Sequence, residues 1–218
     1  MSDNHYLAIE GVIGVGKTSL VRLLQPVFSA EILLEVFEEN PFLSNFYADR
    51  ARYAFQTQLF FLLSRYHQQR EAVPAALRAG SLIADYTFVK DALFARLNLR
   101  GDELATYERV HAALAEKIPP PRLVVYLRAD TEVLMRRIAM RDRPYERTMD
   151  PGYIAELGQA YDEFYLGREM RGGSACLTID TGGLDFVGRS ADLNYVSSRV
   201  RAALGIGPYQ PALPLTAL

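Results

Sequence analysis

Two rhythms of apolar and polar residues alternate along the chain. Short runs in which nearly every position is apolar occur at 6–10 (YLAIE), 31–35 (EILLE), 81–85 (SLIAD), 122–127 (RLVVYL) and 175–180 (ACLTID). Each is followed by a longer stretch whose apolar positions recur every three or four residues. The first rhythm predicts strands buried on both faces and the second amphipathic helices; their alternation predicts an α/β fold built on a five-stranded parallel sheet with helices on both faces. Helices are expected over 17–24, 49–79, 89–97, from 102 to just before the prolines at 119–121, and over 131–140, 151–165 and about 194–204. Pro74 is expected to break the long helix, because proline lacks an N–H and disfavours helix in the residue before it.

The 218 residues suffice for one sizeable core, so a single domain over 1–204 is expected, followed by a proline-rich, uncharged tail at 205–218. Charged residues make up 23% and the formal net charge is -2, which gives no footprint for a nucleic-acid partner. Any phosphate binding must therefore be local. No apolar run is long enough to cross a bilayer, and the N-terminal residues show no basic segment leading into an apolar one, so a cytoplasmic location is expected. The single cysteine, Cys176, excludes an intramolecular disulfide and is read as a small hydrophobe of the fifth strand. His5, His67 and His111 form no cluster suggestive of a metal site.

Between the first apolar run and the first helix lies GVIGVGKT, Gly11 to Thr18, which fits G-x-x-x-x-G-K-[ST] in the strand-to-helix context that gives the pattern meaning. Gly11, Gly14 and Gly16 let backbone N–H groups wrap around phosphate oxygens, and the helix that begins near Lys17 and carries Thr18 and Ser19 aims its positive end at the same anion. Lys17 is placed for the β and γ phosphates, and the Thr18 hydroxyl for an Mg2+ ion otherwise held by phosphate and water. The expected ligand is ATP with Mg2+. A GTPase would need N-K-x-D, which the chain lacks, and DTGG at 180–183 is read as a turn after the last strand.

In IADYTFVKD, 83–91, the third run stops on Asp85. That carboxylate could cap a helix, serve a metal or act as a base; its position at the carboxyl edge of a central strand, near the phosphate loop, favours holding Mg2+ through water. The segment RRIAMRDRPYERT, 136–148, carries Arg136, Arg137, Arg141, Arg143 and Arg147. Arg137 and Arg141 share a helix face, and Arg143 joins them where Pro144 ends the helix. The cluster is either a solvated face complementing the helix dipole or an arginine-rich lid that neutralises a transferring phosphoryl group, with Glu146 as an ion-pair partner or a substrate acceptor. Tyr47, Gln58 and Arg65 return to nearly one face if a helix runs through them, within about 20 degrees at each step. An amide and a guanidinium on such a face suit the edge of a nucleobase. Phe55 and Phe88 could pack on the base or belong to the core. Glu35, at the end of the second strand, is a candidate general base for an attacking hydroxyl or a plain strand-end charge.

Together these residues resemble the deoxyribonucleoside kinase family from about residue 6 to 165. The resemblance matches the phosphate loop, the base glutamate at Glu35, the sugar-binding tyrosine at Tyr47, the base-reading Gln58 and Arg65, and an R-x-x-x-R-x-R-x-x-E lid at Arg137, Arg141, Arg143 and Glu146. Asp85 and Tyr86 stand where the family has an acid followed by arginine, and Asp91 where several members read the base. ENPFLSNFY, ADYTFVKD and RPYER are most similar to the bacterial deoxyguanosine kinase branch. The resemblance implies a P-loop kinase fold, a homodimer, and transfer of the γ-phosphoryl group of ATP-Mg2+ to the 5'-hydroxyl of a purine deoxyribonucleoside. Glu35 would be the base, Lys17, Arg141 and Arg143 would meet the transferred charge, and Tyr47 and Glu146 would hold the 3'-hydroxyl. Because Tyr86 replaces the arginine, the lid is expected to supply the missing positive charge. The alternatives are a deoxyadenosine or deoxycytidine kinase, a nucleoside monophosphate kinase of thymidylate type, and a nucleotide-gated binding module.

Overall fold

A computed structural model describes residues 4–36, 39–167 and 173–207. The five apolar runs form β1 (Tyr6–Gly11), β2 (Ala30–Leu33), β3 (Ser81–Ala84), β4 (Leu123–Arg128) and β5 (Ala175–Asp180). All pairings are parallel, in the order β2-β3-β1-β4-β5. Every residue of β1 is buried, as a central strand covered on both faces must be. Leu7, Ile9, Ile83 and Val125 are fully removed from solvent, each contributing roughly 1.5–3 kcal/mol.

The helices are α1 (Lys17–Phe28), α2 (Leu43–Ala48), α3 (Arg50–Ala79), α4 (Lys90–Asn98), α5 (Gly101–Ala115), α6 (Thr131–Arg141), α7 (Pro151–Leu166) and α8 (Ser190–Leu204). Asp49 caps α3 by accepting from the Arg52 N–H, and Asp150 caps α7 in the same way from Gly152, with Pro151 at the first helical position. The expected break at Pro74 does not occur: α3 runs unbroken for 30 residues. Proline forfeits one backbone bond, and the packing of fully buried Val73 with Ala72, Ala76 and Leu77 against β2 and β3 residues holds the helix together. The short helix α2 was not anticipated, and α8 begins at Ser190 rather than near 194.

Both acids expected at strand ends lie just beyond them. β2 ends at Leu33, leaving Glu35 in the following segment, and β3 ends at Ala84, leaving Asp85 as the next residue. Cys176 is in β5 as expected, but β5 is an edge strand and the side chain is exposed instead of packed in the core. DTGG leads off β5 into a turn closed by the Leu184 N–H on the Thr181 carbonyl. The tail from 208 onward lies outside the described residues. Among the described residues no helix is long and apolar enough to cross a membrane.

Candidate active site

A cleft of about 910 Å³ opens at the carboxyl edge of the sheet, where the β1–α1 loop, the segments after β2 and β3, the end of α6 and the loop after β5 converge. This is where parallel α/β sheets place their ligands. The β1–α1 loop forms one wall. Gly14 has φ 86°, and a Cβ there would lie 2.8 Å from Ile138 and 2.9 Å from the Leu134 carbonyl; Gly16 has φ 102° and would meet the Phe186 ring at 2.9 Å. Glycine is therefore required both by backbone conformation and by the close approach of α6 and the loop after β5.

Lys17 donates to the carbonyls of Gly11 (2.7 Å) and Val12 (3.2 Å). Burial, reinforced by the nearby Lys90 ammonium, pushes its pKa down to about 8. Asp85 ties the phosphate loop to the acceptor side: one carboxylate oxygen accepts from the Thr18 hydroxyl at 2.6 Å and the other from the Glu35 backbone N–H at 2.8 Å. A hydroxyl and a carboxylate in direct contact are hard oxygen ligands of the kind Mg2+ takes alongside phosphate and water. The residues present therefore fit that ion.

Glu35 faces the cleft from between two cations. Arg65 of α3 donates to its Oε1 through both Nε (2.9 Å) and a terminal nitrogen, and Lys90 of α4 donates to Oε2 at 2.7 Å. Burial alone would raise the pKa of this carboxyl, but the guanidinium and the ammonium outweigh it and hold the group far below the usual carboxylate range. The second terminal nitrogen of Arg65 pairs with Asp91, which is fully buried behind it. The guanidinium also lies 4.5 Å over the Phe61 ring.

The lid arginines divide their duties. Arg141 donates to both oxygens of Glu146 at 2.6–3.1 Å, and Arg143 approaches the same carboxylate at 3.7 Å. Arg137 does not swing over the cleft. It donates to the carbonyls of Val15, Thr181 and Leu184 and to the Thr181 hydroxyl, stapling the phosphate loop to the segment after β5. Tyr47 stacks on Tyr145 at 6.2 Å with nearly parallel rings, and burial holds its phenol protonated well past the usual range.

Of the residues expected at the site, Gly11, Gly14, Gly16, Lys17, Thr18, Ser19, Glu35, Tyr47, Arg65, Asp85, Arg137, Arg141, Arg143 and Glu146 all line the cleft. Gln58 and Asp91 are buried and do not line it. Neither does Tyr86, whose ring is fully buried among Tyr6, Leu33, Val73 and Leu82, with its hydroxyl donating to Gln68. Of the two aromatics weighed as base-packing partners, Phe88 stacks on His111 in the core and Phe55 packs beside the same cluster. Phe61 and Phe94 line the cleft instead. Phe61 was legible in principle, since it stands one turn before Arg65.

Three functional contributors escaped the sequence reading. Lys90 supplies the charge expected from the lid. Glu10, buried at the end of β1, accepts from the Thr87 N–H (2.6 Å), the Thr87 hydroxyl and Tyr161, and so fixes the turn carrying Asp85. The loop after β5 gives the cleft Leu184, Phe186 and Arg189. In a fold whose strands all point at the site, residues just past the last strand were candidates by position alone.

The family model for deoxynucleoside kinase matches residues 7–204. The chain belongs to the deoxynucleoside kinase family. This kinase is 32% identical to the deoxyguanosine kinase of Bacillus subtilis over 203 residues, covering 92% of this chain and 98% of that protein. It is 34% identical to the deoxyadenosine kinase of Dictyostelium discoideum over 167 residues, covering 74% and 67% respectively. The structure of deoxyadenosine kinase from M. mycoides with bound dATP superposes with a TM-score of 0.78 at 24% identity, covering 91% of this chain and 100% of that one. The P-loop kinase fold of this enzyme and its activity as a deoxynucleoside kinase follow.

Proposed function

We propose that this enzyme transfers the γ-phosphoryl group of ATP to the 5'-hydroxyl of a purine deoxyribonucleoside, with deoxyguanosine the best substrate. The observation that carries the reading is the Glu35 carboxylate. It is kept ionised by Arg65 and Lys90, lines the same cleft as Lys17, and has its backbone tied to the Asp85–Thr18 pair. A carboxylate so placed accepts the proton of the attacking hydroxyl as the oxygen forms its bond to phosphorus. Lys17, Arg141 and Arg143 supply positive charge toward the transferred group, and the donor phosphates take the glycine-lined loop. Thr18 and Asp85 would hold Mg2+, which neutralises charge between the β and γ phosphates when bound.

For the acceptor, Tyr47 and Glu146 are placed for the sugar and Arg65, with Asp91 behind it, for the base. Asp91 pairs with Arg65 but makes no hydrogen bond of ordinary geometry among the described residues, which leaves it capacity to accept from a base N–H. Gln58, buried on the same helix, completes the base-reading set if it turns toward the ligand. Support for guanine comes from the similarity to the Bacillus subtilis deoxyguanosine kinase along nearly the whole chain, and from the 30% identity to that of Lactobacillus acidophilus. A monophosphate acceptor is disfavoured because Glu35 would repel its phosphate.

The test is a side-by-side assay with ATP and deoxyguanosine, deoxyadenosine, deoxycytidine and thymidine monophosphate. The expected order puts deoxyguanosine first in kcat/KM, by about tenfold or more, as hydrogen-bond readout of a base provides. A preference for deoxyadenosine or deoxycytidine would reassign the base, and phosphorylation of the monophosphate alone would overturn the reading. A homodimer is expected with this activity, and light scattering on the purified chain measures it directly.

A further inference from the structure

We infer that Lys90 is the positioning residue that makes Glu35 a competent base, taking over the role that the position of Tyr86 leaves vacant. The inference rests on Glu35 being the base of the proposed transfer.

The charges around Glu35 must be counted together. Two carboxylates, Glu35 and Asp91, lie in the interior between the segment after β2, α3 and α4, and Arg65 pairs with both of them. One guanidinium cannot balance two carboxylates. Lys90, with a side chain 4% exposed, brings the group to neutrality through its 2.7 Å contact with Glu35. Lys90 is the first residue of α4, where the positive end of the helix disfavours a cation, and burial of an ammonium is costly without a partner. A lysine at that position is therefore accounted for by its contact with the carboxylate.

Tyr86 explains why the cation comes from α4. The Lys90 ammonium lies 5.3 Å over the Tyr86 ring, so the tyrosine forms an aromatic floor beneath it, held from below by its bond to Gln68. A cation at position 86 would compete with Lys90 for the same carboxylate. Tyrosine at 86 and lysine at 90 are thus complementary halves of one arrangement.

The groups facing Glu35 are Arg65 from α3, Lys90 from α4, Lys17 from α1, and the Asp85 carboxylate on its backbone N–H. Removing Lys90 leaves Arg65 shared between Glu35 and Asp91, and the acidity of Glu35 weakens. In Lys90→Met, kcat is expected to fall roughly 100-fold, and the acid limb of its pH profile to move up by about one unit or more, with KM for ATP changed little. Lys90→Arg should recover most of kcat and return the limb. Lys90→Gln keeps a donor without the charge and should behave as Lys90→Met does. A Met or Gln variant with wild-type kcat and an unmoved acid limb overturns the inference.

A second readout does not need turnover. Carboxyl NMR of the wild-type enzyme, with the Glu35 resonance assigned by its loss in Glu35→Gln, should show Glu35 titrating far below an ordinary glutamate. An ordinary titration there overturns the inference even if a variant fails to fold. If the wild type phosphorylates no deoxynucleoside while Glu35 still titrates low, it is the proposed function that fails, and the ion cluster stands without it.

Discussion

Two glutamates in the cleft are each flanked by two cations, and the two arrangements differ in almost every other respect. Glu35 is held by Arg65 and Lys90, drawn from two helices 30 and 55 residues away in sequence, and both cations are under 10% exposed. Glu146 is held by Arg141 and Arg143, which lie within five residues of it, and those arginines are 36% and 30% exposed. The first cluster is part of the folded interior; the second is a local structure resting over the cleft. Breaking a buried pair typically costs about 3–5 kcal/mol, whereas an exposed one contributes roughly 0–1 kcal/mol. Chemistry and stability are therefore coupled at the acceptor end and separable at the lid.

The largest expected effect tests the coupled end. Glu35→Gln keeps shape and removes the base, so kcat should fall by about 10²–10⁴-fold. Because the amide also leaves Arg65 and Lys90 without their anion, the melting temperature should fall with it. Turnover within tenfold of wild type would show that Glu35 is only a structural anion. At the lid, Arg141→Met should lower kcat by roughly 10²-fold, toward the lower end of what arginines contribute to phosphoryl transfer, while the melting temperature stays near that of wild type. A large loss of stability there would erase the distinction between the two clusters.

Acid unfolding sharpens the same contrast. The folded-state pKa of Glu35 is depressed by Arg65 and Lys90, so its contribution to stability is present above the unfolded value of about 4.3 and is lost as pH falls toward the folded one. Thermal melts should therefore decline from about pH 5 downward, and the decline should be shallower in Glu35→Gln. An equally steep decline in the variant would assign the acid sensitivity to other carboxylates.

The difference between the clusters also governs what could be read from the chain. The lid is contiguous, so its spacing exposed Arg141, Arg143 and Glu146 directly, and the phosphate loop was legible for the same reason. The parallel sheet was legible because five separated runs each carried the signal of a strand buried on both faces. Lys90 was not, because nothing local distinguishes it from a solvated lysine at the start of a helix. Only the folding of α4 against α3 and the segment after β2 reveals its partner. Arg137 failed in the opposite sense: it has the spacing of a lid residue, but three carbonyls and a hydroxyl from distant loops claim its guanidinium. Pro74 misled because packing of α3 outweighed one lost backbone bond.

Tyr86 gives the smallest expected effect and the finest test. Its hydroxyl points away from the cleft to Gln68, whose amide in turn donates to the Leu34 carbonyl at 2.9 Å, one residue before Glu35. Tyr86→Phe removes one buried hydrogen bond and keeps the aromatic floor under Lys90, so it should cost about 1 kcal/mol, or roughly 2–4 °C of melting temperature in a protein of this size. kcat should stay within about twofold, since Lys90 still has its ring and Glu35 its two cations. A loss of 100-fold would mean that the phenol itself reaches the substrate, and the division between a charged face and an aromatic floor would have to be abandoned.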